Sequence, residues 1–192
     1  MTNLSDYIAI YDNAFSEELC QLCLKMFHDD AYPKGAHEAE WRRCREMTLI
    51  DQSPQWEVVK AVLRHYYYRY REERKSGVLN YANMLEAPNI FCYQVDTEKP
   101  NIFNTHADAW NFPTATRQVS LIVYLNDVAE GGETNFVDLG VKVSPKQGRL
   151  LLFPSHFTYM HRGEAPLSGP KYIMVSWIHF DGQGHAYRVH RL

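Results

Sequence analysis

The chain predicts a mainly β fold with flanking helices, and three observations carry that prediction. From about residue 90, the runs NIFCYQV, RQVSLIVYLND, GGETNFVD, VKVSPKQ, GRLLLFP and KYIMVSWIHF are short and β-rich. Gly, Pro, Asn and Asp turns separate them, and many short strands at regular spacing point to a sandwich or barrel. Ahead of them lie two stretches with apolar residues at helical spacing, placed in the chain to buttress one face of that sandwich. No internal repeat or low-complexity stretch interrupts the pattern.

The elements follow in order. Tyr7 to Tyr11 (YIAIY) reads as a short strand. Ser16 then suits a helix N-cap, with Glu17 and Glu18 in a first turn where the helix dipole favours anions. Leu19, Leu22, Cys23, Met26 and Phe27 form the apolar face of that helix, which fades near HDDAYPKG. A second helix is predicted from Ser53-Pro54, a cap followed by proline at the first helical position. Trp56, Val59, Leu63, Tyr66 and Tyr70 follow on one face. The expected organisation is a single domain over 1–192, with a strand and helical support over 1–89. A β core over 90–182 and a tail over 183–192 complete it.

Composition narrows the function classes. The 192 residues can bury a substantial core, and 45% apolar with 22% charged residues is ordinary for a globular chain. Net charge is −3, so no global basic field draws nucleic acid. The arginine-tyrosine run RHYYYRYREERK reads as an amphipathic helix packed by its tyrosines, with arginines favouring the C-terminal dipole. The opening MTNLSDYIAIYDNAF lacks the basic start and long apolar run of a secretory signal, and no stretch approaches the roughly 18 apolar residues of a membrane span. A cytoplasmic location is the expectation. Cys20-Gln-Leu-Cys23 is a lone CxxC in an apolar helix, and with Cys44 and Cys92 it reads as reduced core cysteine.

The chemistry centres on NTHADAW. Two residues apart on a strand, His106 and Asp108 point to one face and can grip one ion from one side. Such a pair needs a third ligand, and His156, His161, His179, His185 and His190 are the candidates downstream. His161 has the best surroundings, after the strand GRLLLFP and the connector SHFTYM. Two imidazoles and one carboxylate on one face of a metal, with other positions open, is the ligand set of non-haem Fe(II) oxygenases. Ten residues on, Lys171 opens the strand KYIMVSWIHF, where an ammonium could meet the far end of a dicarboxylate. Tyr124 could donate a hydrogen bond to that same carboxylate.

The set HAD, YLNDVAEGGETNF, PKQGRLLLFP and HRGEAPLSGPKYIMVSW resembles the Fe(II)/2-oxoglutarate dioxygenases of the prolyl 4-hydroxylase type over roughly residues 90 to 180. The resemblance implies a double-stranded β-helix (a cupin-like jelly-roll), with the N-terminal helices against one sheet. It implies that His106, Asp108 and His161 bind Fe(II) and that Lys171 anchors 2-oxoglutarate, assisted by Tyr124, with Tyr93 lining the co-substrate pocket. It further implies O₂ as co-substrate, ascorbate as reductant, release of succinate and CO₂, and hydroxylation of prolyl residues in a peptide or protein. Gly131-Gly132 would form a turn into the next strand, and Trp177 matches a family tryptophan after the anchor lysine. Trp110, Phe112, Arg162 and Trp177 are candidate rim contacts for substrate, while Arg117 equally reads as a solvated strand start.

Alternatives stand beside this reading. A free amino acid or other small molecule is the second substrate class, and a non-catalytic β-sandwich binding module is the reading from a different class. Asp108 is retained where halogenating relatives lose their carboxylate, and Leu167 and Lys171 stand where the nucleic-acid dealkylating branch carries arginines. The loop QVDTEKPNIFNT lacks the glycine-containing turn that relatives often carry before the triad, which leaves substrate specificity open.

Overall fold

The computed structural model describes residues 3–49, 54–182 and 187–192. Thirteen antiparallel strands and two α-helices make up its regular structure, with short 3-10 turns between them. In chain order the first half holds β1 (Ala9–Tyr11), α1 (Glu17–His28), β2 (Gly35–Ala39), β3 (Arg42–Thr48), α2 (Pro54–Arg74) and β4 (Met84–Glu86). The core then runs through β5 (Asn89–Tyr93), β6 (Phe103–His106), β7 (Arg117–Tyr124), β8 (Thr134–Phe136) and β9 (Val141–Val143). The last elements are β10 (Leu150–Pro154), β11 (His161–Gly163), β12 (Lys171–His179) and β13 (Val189–Arg191).

The strands hydrogen-bond in the order β1-β10-β7-β12-β5-β3-β6-β11-β8-β9, with β4 and β13 joined beyond β12. One sheet curls over on itself in the manner of a double-stranded β-helix, and the turn between its halves is a single pairing, Arg42 opposite Phe103. The larger half holds β10, β7, β12 and β5; the smaller holds β6, β11, β8 and β9.

Alternation along the central strands divides the interior in two. Val119, Leu121 and Val123 of β7, Leu150 and Leu152 of β10, and Met174 and Ile178 of β12 join the helices in one apolar cluster. Ile122, Tyr124, Leu151, Phe153, Ile173 and Val175 point the other way, into the curl. Both faces of these strands are covered, which is why they read as unbroken apolar runs. The helices supply the outer cover: Leu19, Cys20, Cys23, Met26 and Phe27 from α1, and Trp56, Val59, Leu63, Tyr67 and Tyr70 from α2.

Local signals explain the helix ends. Ser16 Oγ accepts a hydrogen bond from the Leu19 amide at 3.2 Å, satisfying a first-turn donor. Helix α2 starts at Pro54 as expected, the Ser53 cap lying outside the described residues, and ends where Lys75 turns left-handed at φ 50°. Within α2, Tyr67 and Tyr70 are fully buried, while Tyr66 is half-buried against the same cluster. The Tyr67 hydroxyl donates to the carbonyls of Leu79 and Ala82. The first strand is shorter than expected, since Leu4–Tyr7 closes a 3-10 turn with an Asn3 capping box.

The hairpin β2–β3 has no counterpart in the predicted elements. Besides the buried Cys44 and Met47, it packs through a long polar side chain: the Arg42 guanidinium lies 4.2 Å from the Phe91 ring centre and 4.5 Å from that of Phe103. Charged residues with their stems on aromatic rings bury apolar surface without an apolar pattern in the sequence. The four cysteines are free and buried. Burial pushes the Cys20 thiol up to about 11 and that of Cys23 up to about 12, so the CxxC is inert core.

Candidate active site

The mouth of the curl opens into a cleft of about 700 Å³. Among its lining residues are His106, Asp108, His161, Lys171, Tyr93 and Trp110. Strand pairing builds its centre. His161, first residue of β11, lies directly opposite His106, last residue of β6, so the imidazoles meet with ring centres 4.3 Å apart. Strand β6 ends at His106, and Asp108 sits in the bend that follows. It is therefore the bend, and not an extended strand, that returns Asp108 toward the two histidines.

His106 Nε2 lies 3.5 Å from Asp108 Oδ1, and His161 Nε2 lies 3.8 Å from Asp108 Oδ2. One donor atom from each of the three residues falls within 4.8 Å of the others. An ion about 2 Å from each donor needs separations of roughly 3–4 Å, so the cluster fits a divalent metal with two nitrogen ligands and one oxygen. The tautomers are set for it. His106 Nδ1 lies 2.7 Å from the Asn104 carbonyl and His161 Nδ1 lies 3.1 Å from that of Tyr159. A carbonyl only accepts, so each Nδ1 donates, and in the neutral ring it is Nε2 that offers a lone pair.

Electrostatics agree with a ligand role. Burial pushes the His161 imidazole down to about 4, assisted by neighbouring His106, so the ring is neutral near pH 7. Burial alone would raise the Asp108 carboxyl, but the two histidines and Ser120 hold it well below the usual carboxylate range. Ser120 Oγ donates to Asp108 Oδ2 at 2.5 Å and contacts Ser155 Oγ at 2.9 Å. His106 stacks on Phe103 at 3.6 Å between ring centres, and His161 packs edge-on against Phe153. These contacts fix the rings before any ion arrives.

Lys171 begins β12 with its side chain in the cleft and is 1% exposed. Its Nζ donates to the Gly132 carbonyl at 2.9 Å and lies 5.0 Å from the Tyr93 ring centre. Gly131 and Gly132 both take positive φ, 74° and 75°. A side chain at Gly131 would place its Cβ 2.3 Å from the Ala165 carbonyl oxygen, so the turn that carries this acceptor requires glycine. Burial pushes the Lys171 ammonium down to about 8, against the pull of Glu133 and Glu164.

The remaining expected residues separate. Tyr93 lines the cleft. Tyr124 is fully buried, and its hydroxyl donates to Thr134 Oγ1 at 2.6 Å; Thr134, not Tyr124, stands on the cleft wall. Trp110 is 71% exposed at the mouth. Phe112 is exposed but lies off the cleft wall. Arg162 also lies off it, because strand alternation on β11 turns His161 and Gly163 inward and Arg162 outward to Glu164. Trp177 is buried wall and not rim: the Arg117 guanidinium covers its ring at 3.6 Å.

Arg117 is no solvated strand start. It is buried and paired with Glu86, and its Nη1 donates to the Asp108 carbonyl oxygen at 3.3 Å. The pairing of β7 with β12 shifts register here, with Val119 opposite Ile178 but Arg117 opposite His179. That bulge turns Arg117 from the helix face toward the cleft, a reversal that plain alternation does not anticipate. His179 is buried beside it, contacting Glu86 Oε2 at 2.8 Å. Among the other downstream histidines, His156 contacts Gln118 and not the triad, and His185 lies outside the described residues. Ser120, Ser155, Arg117 and Glu86 went unread as site residues. The one available signal was polarity, a serine interrupting the apolar run VSLIVYL after its first residue.

Comparison with known proteins places this geometry. Residues 89–179 match the model of the 2OG-Fe(II) oxygenase superfamily. A probable prolyl 4-hydroxylase 9 of Arabidopsis thaliana is 32% identical across 48% of this chain and 40% of its own length. Prolyl 4-hydroxylase subunit alpha-1 of Gallus gallus is 34% identical across 36% of this chain and 15% of its own. The chain thus spans less than half the length of these curated relatives. Among solved structures, a viral collagen prolyl hydroxylase from Paramecium Bursaria Chlorella virus-1 in its 2OG complex superposes with TM-score 0.70 at 19% identity, covering 94% of this chain and 100% of that one. A Pseudomonas putida prolyl-4-hydroxylase gives TM-score 0.68 at 17% identity, covering 92% and 94%.

Proposed function

We propose that the chain is a prolyl 4-hydroxylase-like Fe(II)/2-oxoglutarate oxygenase that hydroxylates prolyl residues of a peptide or protein, a reading supported by its match to the superfamily model, its likeness to prolyl 4-hydroxylases and its His-Asp-His cluster. One observation carries the reading: a cleft holds a two-histidine, one-carboxylate cluster together with a buried ammonium. The first arrangement suits Fe(II), the second a dicarboxylate, and 2-oxoglutarate needs both.

His106, Asp108 and His161 would hold the iron, each through a donor already aimed, with His161 kept neutral by its burial. Bound there, Fe(II) supplies the activation of O₂ that couples oxidation of 2-oxoglutarate to succinate and CO₂ with hydroxylation of a C–H bond. Ser120 keeps one Asp108 oxygen turned from solvent and fixes the carboxylate plane. Lys171 would receive the far carboxylate of 2-oxoglutarate. A buried ammonium with a carbonyl for company is costly, and an incoming carboxylate restores its balance. Tyr93 lies under that ammonium and shapes the pocket, while Tyr124 acts through Thr134, whose hydroxyl it holds.

The names of the relatives and the open, aromatic mouth with Trp110 and Trp41 support a peptide substrate. Aromatic walls suit extended proline-rich chain, which is low in conformational entropy before it binds. Four free buried cysteines agree with a reducing compartment such as the cytoplasm, and no helix among the described residues is long and apolar enough to cross a membrane. The test supplies Fe(II), 2-oxoglutarate, O₂ and ascorbate with proline-rich peptides or free amino acids. Mass spectrometry should find a hydroxylated prolyl peptide and stoichiometric succinate. Product on free proline alone would overturn the peptide assignment, and no succinate across the panel would favour a binding module.

A further inference from the structure

We infer that Glu86 and Arg117 form a buried positioning couple that sets the metal ligand Asp108, an inference that rests on the Fe(II) reading of the triad. Arg117 Nε and Nη2 donate to the two oxygens of Glu86 at 3.0 and 2.8 Å, a fork-to-fork pair in which both residues are under 10% exposed. The remaining nitrogen, Nη1, reaches the backbone carbonyl of Asp108 at 3.3 Å. Two aromatic rings lie against the guanidinium, Trp177 with its centre at 3.6 Å and Tyr187 at 4.7 Å. All three guanidinium nitrogens are thus engaged within the protein, which distinguishes Arg117 from an anion-binding arginine waiting for a ligand.

The geometry gives the couple a purpose. Asp108 lies past the end of β6, so no ladder hydrogen bond holds its backbone in place. Ser120 holds its side chain, while the peptide that follows it is held at the carbonyl by Arg117 and at the Ala109 amide, which donates to the Ser155 carbonyl at 2.9 Å. Arg117 can reach that carbonyl only because the β7 bulge turns it inward. Glu86 then prevents it from swinging away. Glu86 is itself fastened twice more, its carboxylate to His179 at 2.8 Å and its carbonyl to Ser176 Oγ at 2.6 Å. It comes from β4, ahead of the family-matched region 89–179, so a residue outside that region supports a ligand inside it.

Metal-free protein titrated with Mn(II) and with Co(II) tests this, alongside its thermal unfolding without metal. Glu86→Gln keeps the shape but releases the fork, and the metal dissociation constant should rise about tenfold or more, the range of outer-shell changes. Glu86→Asp keeps the charge and should recover part of the affinity, and the Co(II) absorption spectrum should shift in the first variant and less in the second. A fall in melting temperature with metal affinity within about twofold of the parent would overturn the couple, leaving it a packing contact. Should Glu86→Gln fail to fold, Arg117→Lys is read by the same criteria, since it keeps a cation but not the planar fork. A parent protein that binds metal yet forms no succinate would sink the functional reading while leaving the positioning measurement intact; a parent that binds no divalent ion would overturn both.

Discussion

The two faces of strand β7 make opposite uses of the same eight residues. Val119, Leu121 and Val123 meet the helices in a dry apolar cluster. Ser120 on the other face, one residue from Leu121, holds the Asp108 carboxylate of the candidate metal cluster, and Arg117 at the strand start is turned by a bulge to join it. All eight are buried, so burial alone does not separate support from chemistry. What separates them is polarity against pattern. A serine or arginine buried among branched apolar residues needs a partner, and here the partners converge on Asp108.

The sharpest way to break this comparison is on the cleft face. His161→Ala should leave the helix-facing cluster intact and abolish succinate formation, with loss of at least about a thousandfold in turnover. Retention of parental turnover would remove His161 from the triad. On the opposite face, Leu121→Ala should cost about 2–5 kcal/mol of stability in a urea titration. Activity per folded molecule should stay near that of the parent; a selective loss of turnover would show that the two faces are not independent.

Lys171→Ala should raise the 2-oxoglutarate requirement about 10- to 100-fold, since it removes an anchoring charge and no metal ligand. The pH profile sharpens the same point. With the ammonium depressed from its ordinary value to about 8, the free protein sheds this proton between pH 8 and 10.5 more readily than the unfolded chain does. The unfolded state then holds more protons, so Lys171 contributes a rise in stability with pH across that window. Over the same range 2-oxoglutarate affinity should fall as the anchoring charge is lost. Melting curves from pH 7 to 10 should show a smaller rise in Lys171→Met than in the parent. The smallest effect belongs to the mouth: Trp110→Ala should weaken peptide KM about fivefold, the scale of one exposed aromatic contact, with 2-oxoglutarate KM unchanged.

The sequence by itself determined the local elements and the candidate chemical groups. A cap at Ser16, a helix from Pro54 and six β-rich runs after residue 90 are local matters of dihedral preference and periodicity, and each lies where its own residues direct. Histidine, aspartate and lysine in the HAD, HRGE and GPKY contexts carried the resemblance that supplied the candidate iron ligands and the candidate dicarboxylate anchor. Tertiary structure decided the rest. Opposite registers on β6 and β11 bring His106 and His161 together across 55 residues, and a bend, not a strand, delivers Asp108. The hairpin β2–β3 escaped notice because its charged side chains pack through their stems. Arg117 was misread because one extra residue in β7 reverses the direction of a side chain. Those features depend on what a residue meets across the sheet, and a linear pattern holds no record of its partner.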